Sequence, residues 1–240
     1  MSLLPYLDII AYFLGDGTVE KLSNKPYFSS KYYGLLYLYK CKIHSLFPNA
    51  MPEIRKYAKN NRCWNPEYRL YINNPVSKLA IMLKRHYILL TYNKASECLA
   101  QNLREPENAV LFVKGLFDAE GSLYWKERHG TEIKFATSSE ALRILLEHSL
   151  ITIGLKYVVN VDNRKDTKHK KKVYYVRLFG KNAQYLILLT KPYKLMLREY
   201  IEDHVSFKYR EKLMNLLSMR RLMAGGAVSR RSRPVKIRVC

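Results

Sequence analysis

The sequence has few cysteines, and none is arranged for a bridge or a metal. Cys41, Cys63, Cys98 and Cys240 are widely spaced and form no Cys-x-x-Cys pair, which argues against a disulfide framework or a zinc ribbon. The lone Cys41-x-x-His44 has no second pair at finger spacing. His44, His86, His129, His148, His169 and His204 form no His-x-x-x-His or triad-like group, so ordinary surface or core histidines are expected. Also missing is a run of about 18 apolar residues, and Met1 to Ala11 carries no basic leader or small-residue cleavage site. An intracellular protein with no membrane partner is expected. Acidic residues are scarce as well: 20 Asp and Glu face 42 Lys and Arg, leaving a net charge of +22 and a pI near 9.8. An excess of that size calls for a polyanion, nucleic acid first. With 48% hydrophobic residues in 240, the chain can bury one large core or two small ones.

What the sequence does contain, it contains twice. Ile9-Ile-Ala-Tyr-Phe-Leu-Gly-Asp-Gly17 lies over Val113-Lys-Gly-Leu-Phe-Asp-Ala-Glu-Gly121 at an offset of 120 − 16 = 104 residues. Each segment is an apolar, helix-like run ending in a small residue, an acid and a glycine. After Gly17 the pattern predicts strands near Val19 and over Tyr27 to Ser30, a helix from Tyr32 to Leu46, a hairpin with arms Glu53 to Lys59 and Glu67 to Asn73, and a helix from Pro75 to Lys84. After Gly121 it predicts strands over Leu123 to Glu127 and Glu132 to Ala136, a helix from Ser139 to Ile153, hairpin arms Lys156 to Asn163 and Val173 to Phe179, and a helix from Lys181 to Leu189. The expected fold is α+β, made of duplicated αββαββα half-domains with pseudo-two-fold symmetry. The halves are expected at 1–90 and 107–223, joined by a linker at 91–106; 107–223 includes a helix from Ser206 to Met223, and a basic tail comes after it at 224–240.

Within the duplicated helices, Ala11 and Gly15 of one copy, and Gly115 and Ala119 of the other, set small residues four apart on one face. Small faces let helix backbones approach closely. If the two copies pack on each other, their C-terminal ends meet, and with them Asp16 and Glu120. An acid in the last helical turn opposes the helix dipole, so two brought together need compensation, which a hard divalent cation provides through carboxylate, carbonyl and water oxygens. Gly17 and Gly121, directly after the acids, suit a left-handed helix end.

These two segments resemble the paired signature helices of the LAGLIDADG homing endonucleases, in their single-chain, two-motif form. The second copy is the closer match; the first has Ala11 in place of glycine and Leu14 in place of the first aspartate. The resemblance runs to about Met223. It implies a β-saddle in the DNA major groove, with Asp16 and Glu120 beneath the minor groove between two scissile phosphates. It further implies backbone carbonyls of Gly15 and Ala119 as additional metal ligands, Mg²⁺ as cofactor with Mn²⁺ able to substitute, and Ca²⁺ supporting binding without cleavage. The implied reaction is hydrolysis of one phosphodiester bond in each strand of a long double-stranded target, leaving 3′ overhangs, by a monomer that needs no protein partner. Accessory polar or basic groups near strand ends and the last helix correspond here to Ser30, Lys31 and Ser138, and to Arg104, Lys194 or Arg198.

Alternation in the hairpin arms assigns the DNA face. Tyr68, Leu70 and Ile72 alternate with Arg69 and Tyr71, and Tyr174, Val176 and Leu178 with Tyr175 and Arg177. Arg69 and Arg177 are candidate base readers. Arg164, Lys165 and Lys170 at a hairpin tip, together with Lys126, Arg128, Lys134, Lys31 and Arg55, are candidate phosphate or groove contacts. Two other readings share the fold: an intron maturase acting as an RNA splicing cofactor, and a DNA-binding regulator that does not cleave. The second predicts a lost carboxylate, whereas both acids are present. The ends lack the nucleophile and terminal asparagine of an intein, which favours a free-standing, intron-encoded protein.

Overall fold

The computed structural model describes residues 4–57, 67–94, 96–126, 130–162 and 172–218. The chain opens with α1 (Leu7–Asp16), then β1 (Gly17–Val19), β2 (Pro26–Ser30), α2 (Tyr33–Leu46), β3 (Pro52–Tyr57), β4 (Glu67–Ile72) and α3 (Lys78–Thr91). A short helix, α4 (Glu97–Asn102), leads to α5 (Pro106–Glu120), β5 (Gly121–Lys126), β6 (Gly130–Thr137), α6 (Glu140–Thr152), β7 (Val158–Asp162), β8 (Val173–Phe179) and α7 (Gly180–Thr190). A 3-10 turn (Tyr193–Met196), α8 (Arg198–His204) and α9 (Phe207–Ser218) complete the order. Each copy of the repeat therefore builds a four-stranded antiparallel sheet with the same strand order, β1-β2-β4-β3 and β5-β6-β8-β7. The protein is α+β, as the repeat predicts.

The sheets reflect period-two patterning. Leu70 on β4 and Ile133, Phe135, Val176 and Leu178 on β6 and β8 point inward and are buried, while Arg69, Lys134 and Arg177 are among the residues at the alternate positions. Local chemistry sets the helix starts. Ser77, Ser96 and Ser139 each accept a hydrogen bond from the backbone N–H three residues on, at Ala80, Leu99 and Leu142. Pro106 occupies the first turn of α5, where no backbone donor is lost. The two signature helices are different in kind. Leu7 to Leu14 of α1 are buried on every side, and α5 buries Phe112, Val113 and Gly115 to Ala119. Helices apolar all round belong at the centre of a fold, and α1 and α5 pack against each other there.

Several boundaries differ from the sequence expectation. The linker expected at 91–106 contains α4, because Ser96 caps it and Leu99 and Leu103 find buried positions. The helix expected to stop at Lys84 runs to Thr91, and its Tyr87 hydroxyl hydrogen-bonds Thr18 Oγ1 at 3.1 Å. The 3-10 turn and α8, which bury Leu195 and Tyr200, have no counterpart in the predicted elements. The helix expected from Ser206 to Met223 starts at Phe207 and is described to Ser218; the tail at 224–240 lies outside the described residues. Among the described residues, no helix is long and apolar enough to cross a membrane.

Candidate active site

The small residues act at the crossing of α1 and α5. A Cβ added to Gly15 would lie 2.5 Å from the Ala119 Cβ and 3.1 Å from Glu120 Cγ. One added to Gly115 would lie 2.8 Å from both the Cα and the carbonyl carbon of Asp8. Neither glycine can carry a side chain without parting the helices, and this closeness brings Asp16 and Glu120, 104 residues apart, to one end of the pair. The glycines after the acids serve a different purpose from the one expected. Gly17 (φ −97°) and Gly121 (φ −73°) are extended, not left-handed. Glycine is required because a Cβ at Gly17 would fall 2.6 Å from Phe13 Cγ, and one at Gly121 2.6 Å from the Phe117 carbonyl oxygen. The chain leaves the helix directly into a strand, folded tightly over the last turn.

Asp16 opens to solvent, but the protein packed round its carboxyl raises its pKa to about 6, against the attraction of Lys194. Glu120 is pushed up to about 8, first by burial and then by the negative charge of Asp16, with Lys194 opposing both. The effect of Asp16 on Glu120 places the two carboxyls within electrostatic reach of each other. Lys194, only 8% exposed, donates from Nζ to the carbonyls of Ala119 (2.9 Å), Gly121 (3.2 Å) and Phe117 (3.4 Å). A buried ammonium thus sits on the carbonyl end of α5, the negative end of its dipole. Burial lowers its pKa, while Asp16, Asp118 and Glu120 hold it up.

Whether these residues suit a divalent cation can be judged from their donors. Among the described residues there is no cluster of three or more His, Cys, Asp or Glu side chains able to hold a metal. Asp16 and Glu120 offer two carboxylates, both raised chiefly by burial and only partly compensated by Lys194. The Ala119 carbonyl already accepts from Lys194, which leaves one lone pair. The site suits a hard cation that takes its remaining oxygens from phosphate and water.

The other candidate groups scatter. Arg104 faces away, lining a groove with Glu97, Gln101, Ile144 and His148, so it is not brought to the acids. Arg198 is almost fully exposed and ion-paired with Glu202. Lys31 pairs with Asp203 at 2.9 Å and is near enough to act electrostatically on Lys194. Ser30 Oγ accepts from the Tyr32 N–H at 3.0 Å. Ser138 is exposed, in the bend after β6.

On the outward face of the first sheet, Arg69 stands directly across from Arg55. Arg69 pairs with Glu67 at 3.0 Å, with its guanidinium 3.5 Å from the Tyr57 ring centre. Arg55 pairs with Glu53 at 2.7 Å. Tyr71, expected to face DNA, is instead 7% exposed, covered by Tyr27 and Arg55; its ring supports the cations and has little surface of its own to offer. On the second sheet, Lys134 stands across from Arg177, and both lie near the Tyr175 ring. Arg177 approaches the buried Glu132 at 3.8 Å. Lys126 ends β5. Arg128, Arg164, Lys165 and Lys170 lie outside the described residues.

Sequence reasoning missed the partners of Asp118 and Asp8. Both are fully buried. Asp118 accepts from Tyr39 Oη (2.9 Å) and from the backbone N–H groups of Tyr193 (3.2 Å) and Lys194 (2.8 Å). Asp8 accepts from Lys42 Nζ at 2.8 and 2.7 Å and lies 3.8 Å from Lys114 Nζ. The available signal was a charge within an otherwise apolar helix, which needs a buried partner.

A family model described as a LAGLIDADG-like domain matches residues 107–191. No curated protein matches the chain. Among solved structures, I-DmoI in complex with DNA and Mn is 19% identical, with 77% of this chain and 96% of that chain covered and a TM-score of 0.47. Mesophilic variants of the homing endonuclease I-DmoI are 18% identical, covering 78% of this chain and 98% of theirs, with a TM-score of 0.48. Full-length DUF199/WhiA from Thermatoga maritima is 11% identical, covering 90% of this chain and 60% of that one, with a TM-score of 0.51. At these identities the likeness concerns the fold. Residues 107–191 thus match the model of a LAGLIDADG-like domain, within a chain that builds the same four-stranded unit twice and shares its fold with DUF199/WhiA.

Proposed function

We propose that this protein is a site-specific DNA endonuclease that makes a metal-dependent double-strand break, acting as a monomer on double-stranded DNA and leaving 3′ overhangs. The observation that carries the reading is the meeting of Asp16 and Glu120 at the ends of α1 and α5, with Glu120 pushed up to about 8 by burial and by Asp16. Mg²⁺ is the proposed ion, with Mn²⁺ able to substitute and Ca²⁺ supporting binding without cleavage; Asp16 and Glu120 hold it, with the Gly15 and Ala119 carbonyls beside them. When bound, such an ion supplies Lewis acidity and an activated water. Both carboxylates must be ionised to act as donors, so cation binding has to displace the proton that burial and Asp16 favour on Glu120. Lys194 neutralises charge at the same end of α5. The facing cations Arg55 and Arg69, and Lys134 and Arg177, also support the reading. The three arginines already have carboxylates beside them, at Glu53, Glu67 and Glu132, so these cations contribute as part of a net positive face for a phosphate backbone and not through unrelieved repulsion.

The test is a supercoiled plasmid carrying the joined sequences that flank the gene. With Mg²⁺, the protein linearises it; with Ca²⁺, it shifts the DNA without cutting; Asp16→Asn and Glu120→Gln each lose double-strand cleavage. Double-strand cutting retained by both single variants refutes the shared centre. One observation favours a second reading, DNA binding without cleavage: Lys194 already supplies a positive charge beside the acids. That reading predicts tight binding and no linear product with either Mg²⁺ or Mn²⁺.

A further inference from the structure

The position of Lys194 is imposed from outside its own turn. The 3-10 turn Tyr193–Met196 begins after Pro192, and its first backbone N–H groups have no partner within the turn. The Asp118 carboxylate takes both: Oδ1 accepts from the Lys194 N–H at 2.8 Å and Oδ2 from the Tyr193 N–H at 3.2 Å. Oδ2 also accepts from Tyr39 Oη at 2.9 Å, and Tyr39 belongs to α2 of the other half. Its ring stacks on Tyr12 of α1 at 4.5 Å and meets Tyr193 edge-on at 5.3 Å. One carboxylate therefore ties α5, the 3-10 turn and α2 together. The result is a lysine whose backbone is anchored at residue 118 while its ammonium caps the carbonyls of Phe117, Ala119 and Gly121.

Among the described residues, the first copy of the repeat shows no such device. Leu14, at the place of Asp118, is an apolar core residue, and among the described hydrogen bonds no lysine caps the last carbonyls of α1. We propose that Asp118, with Tyr39 across the half-domain boundary, is a positioning residue that fixes the Lys194 ammonium beside Glu120. The C-terminal ends of α1 and α5 are thereby unequal. The anchoring stands on the geometry alone; its consequence for cleavage rests on the endonuclease reading.

The experiment has two arms, both on the full chain. In the first, folded protein is acetylated briefly with acetic anhydride and the labelling of each lysine is measured by mass spectrometry. Lys42, held by Asp8, serves as the internal control for general loosening. Asp118→Asn and Asp118→Leu are expected to speed labelling of Lys194 by about tenfold and Tyr39→Phe by a few-fold, with Lys42 unchanged. Unchanged Lys194 labelling in Asp118→Asn, or Lys42 rising in step with it, overturns the anchoring. Asp118→Asn keeps the shape of the side chain and decides the matter if the leucine variant does not fold. In the second arm, the Asp118→Asn turnover on the flanking-sequence plasmid is expected to fall by about 10- to 100-fold with little change in KM. A KM effect alone overturns the positioning role in cleavage. Faster Lys194 labelling in a protein whose unaltered form never cuts keeps the anchor and removes the endonuclease reading.

Discussion

Gly115→Ala adds a single methyl group at the crossing of the two central helices. By helix propensity alone the change is favourable by roughly 1 kcal/mol, since glycine is the poorer helix former. Packing opposes it. The new Cβ would lie 2.8 Å from the Asp8 Cα and carbonyl carbon and closer still to the carbonyl oxygen, and these atoms belong to backbone that cannot rotate away. The helices must part by roughly 1 Å, at an overpacking cost of about 1–3 kcal/mol or more. Strain also reaches Asp8, whose buried carboxylate depends on Lys42 and Lys114. Because the clash is with backbone, the cost falls at the upper end of that range, and after the propensity gain the net expectation is destabilisation of about 2 kcal/mol, measured as a lower midpoint of guanidinium unfolding at unchanged slope. If the proposed centre is right, an offset of about 1 Å between the acids also slows cleavage by about 100-fold. A variant as stable as the parent, or more stable, refutes the close crossing, because propensity would then have acted unopposed.

Three further outcomes are expected. Glu120, raised to about 8, and Asp16, raised to about 6, keep protons in the folded state that the unfolded chain releases near pH 4. Their contribution to stability is therefore full below pH 4 and is lost as pH rises toward 8; Glu120→Gln should flatten that part of a pH series of unfolding curves measured without divalent ions. Lys194→Met removes the ammonium that donates to the carbonyls of Phe117, Ala119 and Gly121 and leaves two acids without their cation. It should cost about 1–3 kcal/mol in chemical unfolding and remove cleavage, and wild-type cutting by this variant would exclude a role for the ammonium. Replacing Arg69 and Arg177 by alanine should lower the slope of log affinity against log salt by about 1 per residue in anisotropy titrations with duplex DNA, whereas an unchanged slope would mean that neither touches phosphate.

Periodicity and two nine-residue segments were enough to establish the repeat, and with it the α+β class, the common order of elements, the small residues of the crossing and the pairing of Asp16 with Glu120. Such local patterns are legible because residues three or four apart on a helix, or two apart on a strand, share one face. Which groups serve the acids depended instead on how the halves pack. Lys194 is one basic residue among several candidates until a 3-10 turn 74 residues beyond Glu120 sets its ammonium on the α5 carbonyls. Arg104, equally plausible as a sequence letter, faces a different groove. Asp118 reads as a packing position until Tyr39 and the turn's backbone supply three donors. The glycines after the acids, expected for their left-handed freedom, are necessary for lack of space. Partners of buried charges and close approaches depend on atoms distant along the chain, and those distances exist only once the two halves have packed.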